Sequence, residues 1–520
     1  MTNPTVNERS SPRRRPWLPS ISAILWLAFF LALMLTPARV KLVGSDADPC
    51  WHWQEGNWML QHHAMLHTEI FSYTRNGAPQ IGIEWLSEIV TALAGDLFGW
   101  SGIALVAAVI CATCVGLLHQ QLLAEGDELL LSTVLALLAA GVCATHWLAR
   151  PHLATHLLVL VFAWQLRWFD RGRITARKLL ILLPLLMVLW ANFHGGFVFG
   201  FALVGIHFTG AVTSWIFATS QQRPALRHRV IVLGVLGMAC VLASLVNPNG
   251  WNLHLRVIHY IHSPWLINFA PEFLPLSFHD QTMLPFMIEA VLLLLMLVIV
   301  RPRLSATDAL LLIAWLVLSL RMVRNAPLFA LITTPILAEH WNAYLRAASP
   351  SRLIQRYRSI SANLTSINQR AGARGLPVLA VAVIILVLAK PELVGGRSLL
   401  RTDLPVDRFP VGAVKFLRQS PNAVHGEMFN EYVWGGYFIL VMPERKVFVH
   451  PDIGIYGEDF VKEFNQVNYV QPNWEDVLQK YHVGWTILPR EHPLNQALAQ
   501  RIGWTQVYTD SVATIYGKSP

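Results

Sequence analysis

Eleven predominantly apolar runs crowd this chain, at 20–38, 102–123, 129–148, 152–169, 179–197, 198–218, 230–247, 284–300, 306–321, 325–341 and 376–390. A helix needs about 20 such residues, with a range of roughly 17–25, to cross a bilayer. In hydrocarbon the backbone must satisfy its own hydrogen bonds, so runs of this length read as spanning helices. Composition agrees: 54% of the 520 residues are hydrophobic and 14% are charged, against about 25% charged in soluble domains. The spacing therefore predicts an α-helical polytopic membrane protein of about eleven spans.

The basic residues sort the loops. They cluster at Arg13–Arg15, Arg167–Lys178, Arg223–Arg229, Arg301–Arg303 and Arg346–Arg374. Placing the N-terminus inside puts every one of these clusters on the cytoplasmic side, as the positive-inside rule requires. The net charge of +9 is thus spread over short loops rather than gathered on one face, which argues against a nucleic-acid partner. The same parity places 39–101, 149–151, 248–283 and everything after 390 outside. The expected organisation is a cytoplasmic tail over 1–19, a membrane domain over 20–390 with its first external loop at 39–101, and an external soluble domain over 391–520. No small-x-small site follows Ile21–Thr36 convincingly, so the first run is expected to be an uncleaved helix.

Residues 84–99 are apolar enough to suggest a further span. They contain Glu84, Glu88 and Asp96, and an acidic residue near a helix centre costs about 2.5–3.5 kcal/mol to insert. A span here would also invert every basic loop downstream. An amphipathic helix at the outer interface is expected instead. Four of the five cysteines lie in apolar runs and only Cys50 in an external loop, so no intramolecular disulfide framework is expected.

Beyond Pro391 the pattern becomes that of a small α/β domain. Helices are expected at 410–419, 457–467, 474–481 and 493–502, and strands at 424–429, 433–441, 446–449, 483–488, 504–509 and 512–517. There is no GxGxxG, no Walker loop and no zinc-spaced Cys/His set, so nothing signals nucleotide or structural metal.

The most informative polar stretch is Gly44-Ser45-Asp46-Ala47-Asp48, just past the first run and followed by Trp51, Trp53 and Trp58. Two carboxylates in an extended i, i+2 arrangement can face one side and take a proton or a divalent cation, Mg2+ or Mn2+. The same spacing also suits a solvated loop with an aspartate capping the next helix. His63 and His67, with His62, have an HxxxH spacing but no HExxH glutamate, and read as surface histidines. His194, in Asn192-Phe193-His194-Gly195-Gly196, falls at an outer turn, and Asn247 opens Asn247-Pro248-Asn249-Gly250-Trp251; both are placed to line an outward cavity. Asn430, Glu431, His450 and Asp452 suit either the domain face toward the membrane or the closing of turns, and read as turn-closing residues.

Several short stretches resemble one family. Phe71-Ser72-Tyr73-Thr74, Glu84-Trp85-Leu86, Ala149-Arg150-Pro151-His152 and Phe429-Asn430-Glu431-Tyr432-Val433-Trp434-Gly435-Gly436-Tyr437 are similar to bacterial members of the GT-C superfamily of membrane glycosyltransferases. The layout of span, long acidic external loop, amphipathic helix, many spans and external domain resembles it too. The resemblance implies a sugar donor linked to polyprenyl phosphate, with Asp46 or Asp48 as base or metal ligand and Glu84 as partner. The chain departs from the pattern at Gly82-Ile83-Glu84, where many members carry a Pro-Pro pair, which leaves donor and acceptor class open. Arg150, His152, Arg321 and Arg324 fall near outer ends of spans, where a lipid phosphate would sit and arginine forks would hold it. The expected function is transfer of a sugar to an envelope glycan, lipid or protein at the outer leaflet. The rival is a transporter, flippase or scaffold for envelope polysaccharide; a transporter would favour internal repeats and charges deep in the spans, and neither is evident in the sequence.

Overall fold

The computed structural model describes residues 15–269, 271–349, 351–373, 375–394 and 400–519. Arg13, Arg14 and Arg374 of the basic clusters lie outside the described residues. All eleven apolar runs are helical. The first is broken: α1 (Ile21–Leu35) and α2 (Ala38–Gly44) meet at an angle of 72°. Pro37 has no backbone N–H to continue the ladder, and the Thr36 hydroxyl turns back onto the Ala32 carbonyl at 2.7 Å.

The first loop forms a helical hairpin, α3 (Asp48–His62) and α4 (Trp85–Phe98). Glycines let the two helices touch: a Cβ on Gly56 would lie 2.1 Å from the Glu88 carbonyl oxygen, and one on Gly95 would lie 2.3 Å from the Trp53 ring. The stretch expected as an interfacial helix is therefore a helix, with Ser87, Glu88, Ala92 and Gly95 buried. The remaining long helices are α5 (Trp100–Ala124), α6 (Leu129–Ala144), α7 (His152–Asp170), α8 (Ala176–Phe193), α9 (Val198–Ile216) and α10 (Arg223–Ser244). Two shorter helices follow, α11 (Trp251–Ile261) and α12 (Pro264–Phe269). Then come α13 (Leu284–Leu295), α14 (Ala306–Arg321), α15 (Ala326–Ala347), α16 (Arg352–Gln369) and α17 (Leu376–Ala389). By length and composition five of the described helices could cross a membrane, or six if the bent pair counts as one span.

The two ends of the bundle differ chemically. At one end, Arg167 of α7 meets Glu125 at 2.9 Å and Asp308 at 3.0 Å and also contacts Glu339, while Arg229 meets Asp170 at 2.6 Å. There too β1 (Arg15–Pro19) pairs in parallel with β2 (Ala371–Ala373). The four basic loops and the N-terminal segment thus share one end. One expectation about the spans fails: Glu289 of α13 is 1% exposed, so a carboxyl group does sit inside an apolar run. It is tolerated because the Thr333 and Thr334 hydroxyls donate to Oε1, at 3.2 and 2.9 Å, and a hydrogen-bonded polar group costs far less to bury.

The C-terminal part carries a four-stranded sheet in the order β3 (Glu427–Asn430), β4 (Val483–Pro489), β6 (Ala513–Lys518), β5 (Trp504–Thr509). β3 runs parallel to β4, and the other pairings are antiparallel. Helices α18 (Val411–Gln419), α20 (Glu458–Asn468), α21 (Trp474–Lys480) and α22 (Pro493–Ala499) fall where the pattern predicts them. Residues 433–441 do not form the expected strand: Gly435–Val441 is a helix, α19. Its Val and Ile content favours a strand locally, but Gly435 through Ile439 are buried on every side and Gly436 is pressed onto the Ala47 carbonyl of the first loop; tertiary packing overrides propensity here. Residues 446–449 do not form the expected strand either: Val447 makes an isolated parallel bridge to Ser72 of the first loop.

This part does not keep its core to itself. Ala47, Cys50 and Trp51 join the cluster around Phe438 and Trp485, and Leu266 joins that around Phe448 and Phe464. A fully buried contact, Glu69 with the His450 ring at 3.2 Å, adds a polar tie between loop and sheet domain.

Candidate active site

Asp46, Asp48 and Arg150 come together at the end of the bundle that carries the sheet domain. The two aspartates are not extended: Ala47 has φ −97° and ψ 5°, and Asp48 is the first residue of α3. The Asp46 Oδ1 atom accepts the Asp48 N–H at 3.0 Å, closing a local turn at the start of that helix. The carboxylates converge through a cation instead. Arg150 donates from Nε and Nη2 to Asp46 Oδ2 at 3.1 and 2.9 Å, and its Nη1 faces Asp48 Oδ2 at 3.0 Å. The turn at Asp46 and the arginine fork therefore do what backbone extension was expected to do.

A third carboxylate, unnoticed in the sequence, completes the cluster. Glu272 places Oε2 3.3 Å from Arg150 Nη1 and Oε1 3.2 Å from Arg324 Nη1. Arg324 thus joins the site, as its position suggested. Arg321 is exposed at the end of α14 and makes no polar contact with this group among the described residues. His152 is buried: its Nε2 faces the His146 carbonyl at 2.8 Å and its ring packs against those of His146 and His156.

Glu84 anchors a second group. His194 Nδ1 accepts the Gly196 N–H at 2.9 Å and the Thr155 hydroxyl at 2.8 Å, which leaves Nε2 to carry its proton toward Glu84 Oε1 at 3.4 Å. Across the hairpin His52 stands 3.6 Å from both Glu84 and Glu88. Asp48, His52 and Glu55 lie at i, i+4 and i+7 on one face of α3, opposite Glu84 and Glu88 at i, i+4. That helical spacing is the sequence signal for His52, Glu55 and Glu88, which belong to no linear motif. Asn247 closes a turn, donating to the Ser244 and Gly250 carbonyls, and it lines an open groove with Trp85, Leu189 and Asn192.

Burial sets the proton affinities. It raises Asp48 to about 6, with the Asp46 charge adding to the rise and Arg150 and His52 opposing it. Burial likewise raises Glu84 to about 7, against the pull of His52 and with the charges of Glu88, Asp452 and Asp48. For His52 burial works toward the neutral ring, but Glu88, Glu84 and Asp48 outweigh it and lift its pKa above the ordinary imidazole value. Carboxyl groups poised near neutrality can exchange protons at working pH.

A divalent cation does not fit between Asp46 and Asp48 as they stand. Their oxygens are the hard donors such an ion prefers, but both converge on a guanidinium that occupies the space between them. Among the described residues no group of three or more His, Cys, Asp or Glu is arranged to hold a metal. The HxxxH pair fails for a simpler reason: α3 ends at His62, His63 takes φ 50°, and all three histidines are exposed. An apolar groove between α4, α5 and α7, walled by Val90, Ala94, Ile103, Ile110 and Leu153, includes Arg150 in its lining.

A bent first helix pair, an acidic helical hairpin, a helical bundle and a terminal sheet domain resting on the hairpin make up a fold that solved structures share. Among solved structures, the chain is similar over 96% of its length to 74% of the oligosaccharyltransferase AglB of Archaeoglobus fulgidus in complex with an inhibitory peptide and a dolichol-phosphate, with 12% identity and a TM-score of 0.57. It is also similar, over 95% of its length, to 97% of ArnT of Cupriavidus metallidurans bound to undecaprenyl phosphate, with 13% identity and a TM-score of 0.51. No protein-family model matches the sequence, and no curated protein is similar to it in sequence.

Proposed function

We propose that this chain transfers a sugar from a polyprenyl-phosphate donor to an envelope glycan, lipid or protein at the outer leaflet. The observation that carries the reading is the convergence of Asp46, Asp48, Arg150 and Arg324 beside an apolar groove whose lining includes Arg150. The prenyl tail lies in the groove and its phosphate meets the two arginines, where guanidinium forks offset the charge that grows as the sugar leaves. Asp48, partly protonated near pH 6, takes the proton of the acceptor hydroxyl. Asp46 holds Arg150 and accepts the Asp48 N–H. Glu84, steadied by His194 and His52, is the second carboxyl group able to relay that proton.

In this reading the eleven helical runs span the inner membrane, with the basic loops and N-terminus cytoplasmic and residues 391–520 forming the external domain. Two neighbours in fold were solved with dolichol-phosphate and undecaprenyl phosphate, which supports a donor of this class. Glu289 lends the transporter alternative its one specific support. The test is to supply the purified full chain in liposomes with a panel of undecaprenyl-phosphate-linked sugars and a panel of glycan, lipid and peptide acceptors, and measure release of undecaprenyl phosphate. Release that Asp48→Asn removes is the expected result. Sugar-lipid translocation without release would overturn the enzyme in favour of the transporter.

A further inference from the structure

Within that proposed site, one carboxylate occupies the place a substrate would take. Glu272 bridges two arginines from different elements, with one oxygen 3.3 Å from Arg150 and the other 3.2 Å from Arg324. A phosphate held between two guanidinium forks makes the same pair of contacts. All three side chains are part-buried, at 20%, 24% and 26% exposure for Arg150, Arg324 and Glu272, so the charges are only partly screened.

The surroundings hold Arg324 independently of Glu272. The Phe273 ring lies 4.5 Å beneath its guanidinium. Backbone bonds from Val323 N–H to the Leu274 carbonyl at 3.0 Å, and from Leu276 N–H to the Leu320 carbonyl at 3.4 Å, tie the segment after Glu272 to the residues flanking Arg324. If the ion pairs break, the backbone stays pinned and only the Glu272 side chain need swing away. Burial works against the Glu272 charge, but Arg324 and Arg150 outweigh it and keep its pKa below the ordinary value, so the group is ionised at neutral pH.

We infer that Glu272 is an internal stand-in for the donor's phosphate: it holds Arg150 and Arg324 at phosphate-binding separation in the empty site and is displaced when the donor enters. This inference rests on the proposed function. Arg150 also meets Asp46 and Asp48, but Arg324 has Glu272 as its one acidic partner among the described residues, so the carboxylate offsets the charge of Arg324 beside Arg150 before substrate arrives. An incoming headgroup must then outcompete a carboxylate, so the pocket favours phosphate over weakly charged or neutral lipid heads. Glu272 therefore weakens donor binding while it preorganises the site.

The test measures binding of undecaprenyl phosphate to the full-length chain in nanodiscs, comparing wild type with Glu272→Gln and Glu272→Asp. Gln keeps the shape without the charge, and Asp keeps the charge but is too short to reach both arginines. Removing a competing charged hydrogen-bonding partner is expected to tighten binding about tenfold in Glu272→Gln, with a smaller gain in Glu272→Asp. Thermal melting of each variant shows whether it is folded, and either folded variant suffices. Wild-type binding that neither variant improves, or that either weakens, overturns the stand-in while leaving the phosphate site intact. Binding in none of the three, or wild-type binding that Arg324→Gln leaves unchanged, overturns the phosphate site itself and the inference with it.

Discussion

Removing Arg150 tests the electrostatic logic of the site without any knowledge of the substrate. In Arg150→Met a side chain of similar length loses the guanidinium that meets Asp46 at 2.9 Å, Asp48 at 3.0 Å and Glu272 at 3.3 Å. Removing one partner of a buried ion pair costs about 3–5 kcal/mol. Because these side chains are 17–26% exposed, the lower end, about 3 kcal/mol, is the better expectation at pH 8. The sign of the pH dependence follows from Asp48. Burial already raises it to about 6 with Arg150 opposing the rise, so losing the cation raises it further. A carboxyl group whose folded pKa lies above its unfolded value binds more protons in the folded state, and its folded form loses stability as pH rises between the two values. The variant's deficit relative to wild type is therefore largest above neutrality and shrinks on acidification, by about 1.4 kcal/mol per pH unit for each extra proton held. Thermal melting of both proteins in detergent from pH 5 to pH 8 reads this directly. A deficit that stays constant with pH, or grows on acidification, refutes the picture of three carboxylates neutralised by one arginine.

Four further outcomes are expected. Asp48→Asn should lower sugar transfer by about 10²–10⁴-fold, the usual worth of a positioned base, with membrane insertion unchanged; near-wild-type turnover in a liposome assay would remove Asp48 from the mechanism. In the wild-type enzyme the rate should rise with pH through about 6 and level off as Asp48 ionises, whereas an acid limb near 4 would point to an unperturbed carboxylate. Since Arg150 fills the space between Asp46 and Asp48, transfer should survive EDTA, and activity lost to EDTA but restored by Mg2+ or Mn2+ would show that the arginine moves aside for an ion. Finally, His450→Ala should strand the buried Glu69 carboxylate at a cost of about 3–5 kcal/mol, read as faster proteolysis between the hairpin and the sheet domain; burial acts to raise Glu69, but His450 and the Ser72 and Phe71 N–H groups outweigh it and lower its pKa, so the wild-type contact should hold above the ordinary carboxylate pKa and weaken as pH falls through the lowered value.

Much of this protein was legible along the chain because the controlling physics is local. The length of each apolar run predicts a helix, and all eleven runs are helical. The alternation of arginine-rich and arginine-poor loops predicted which segments share an end, and the contacts of Arg167 and Arg229 at one end, with those of Asp46 and Arg150 at the other, follow that division. The acidic content of 84–99 predicts a helix at the outer interface, and α4 is a helix that pairs with α3 and also packs closely against α5, where a Cβ on Gly102 would lie 2.0 Å from the Ala94 carbonyl oxygen.

What the chain alone left open is where distant side chains meet. Asp46 and Arg150 are 104 positions apart and Arg150 and Glu272 are 122 apart, and no periodicity relates residues across separate elements. Glu272 lies in a connecting segment with no motif around it, and Glu289 is tolerated inside an apolar run because Thr333 and Thr334 of a neighbouring helix supply its hydrogen bonds. Residues 435–441 became a helix because the first loop presses on Gly436, a contact absent from local propensity. Sequence determined which segments are apolar, which loops are basic and which residues carry charge. Only the tertiary structure decided which charges neutralise one another, because ion pairing depends on distances of about 3 Å that only the packed bundle sets.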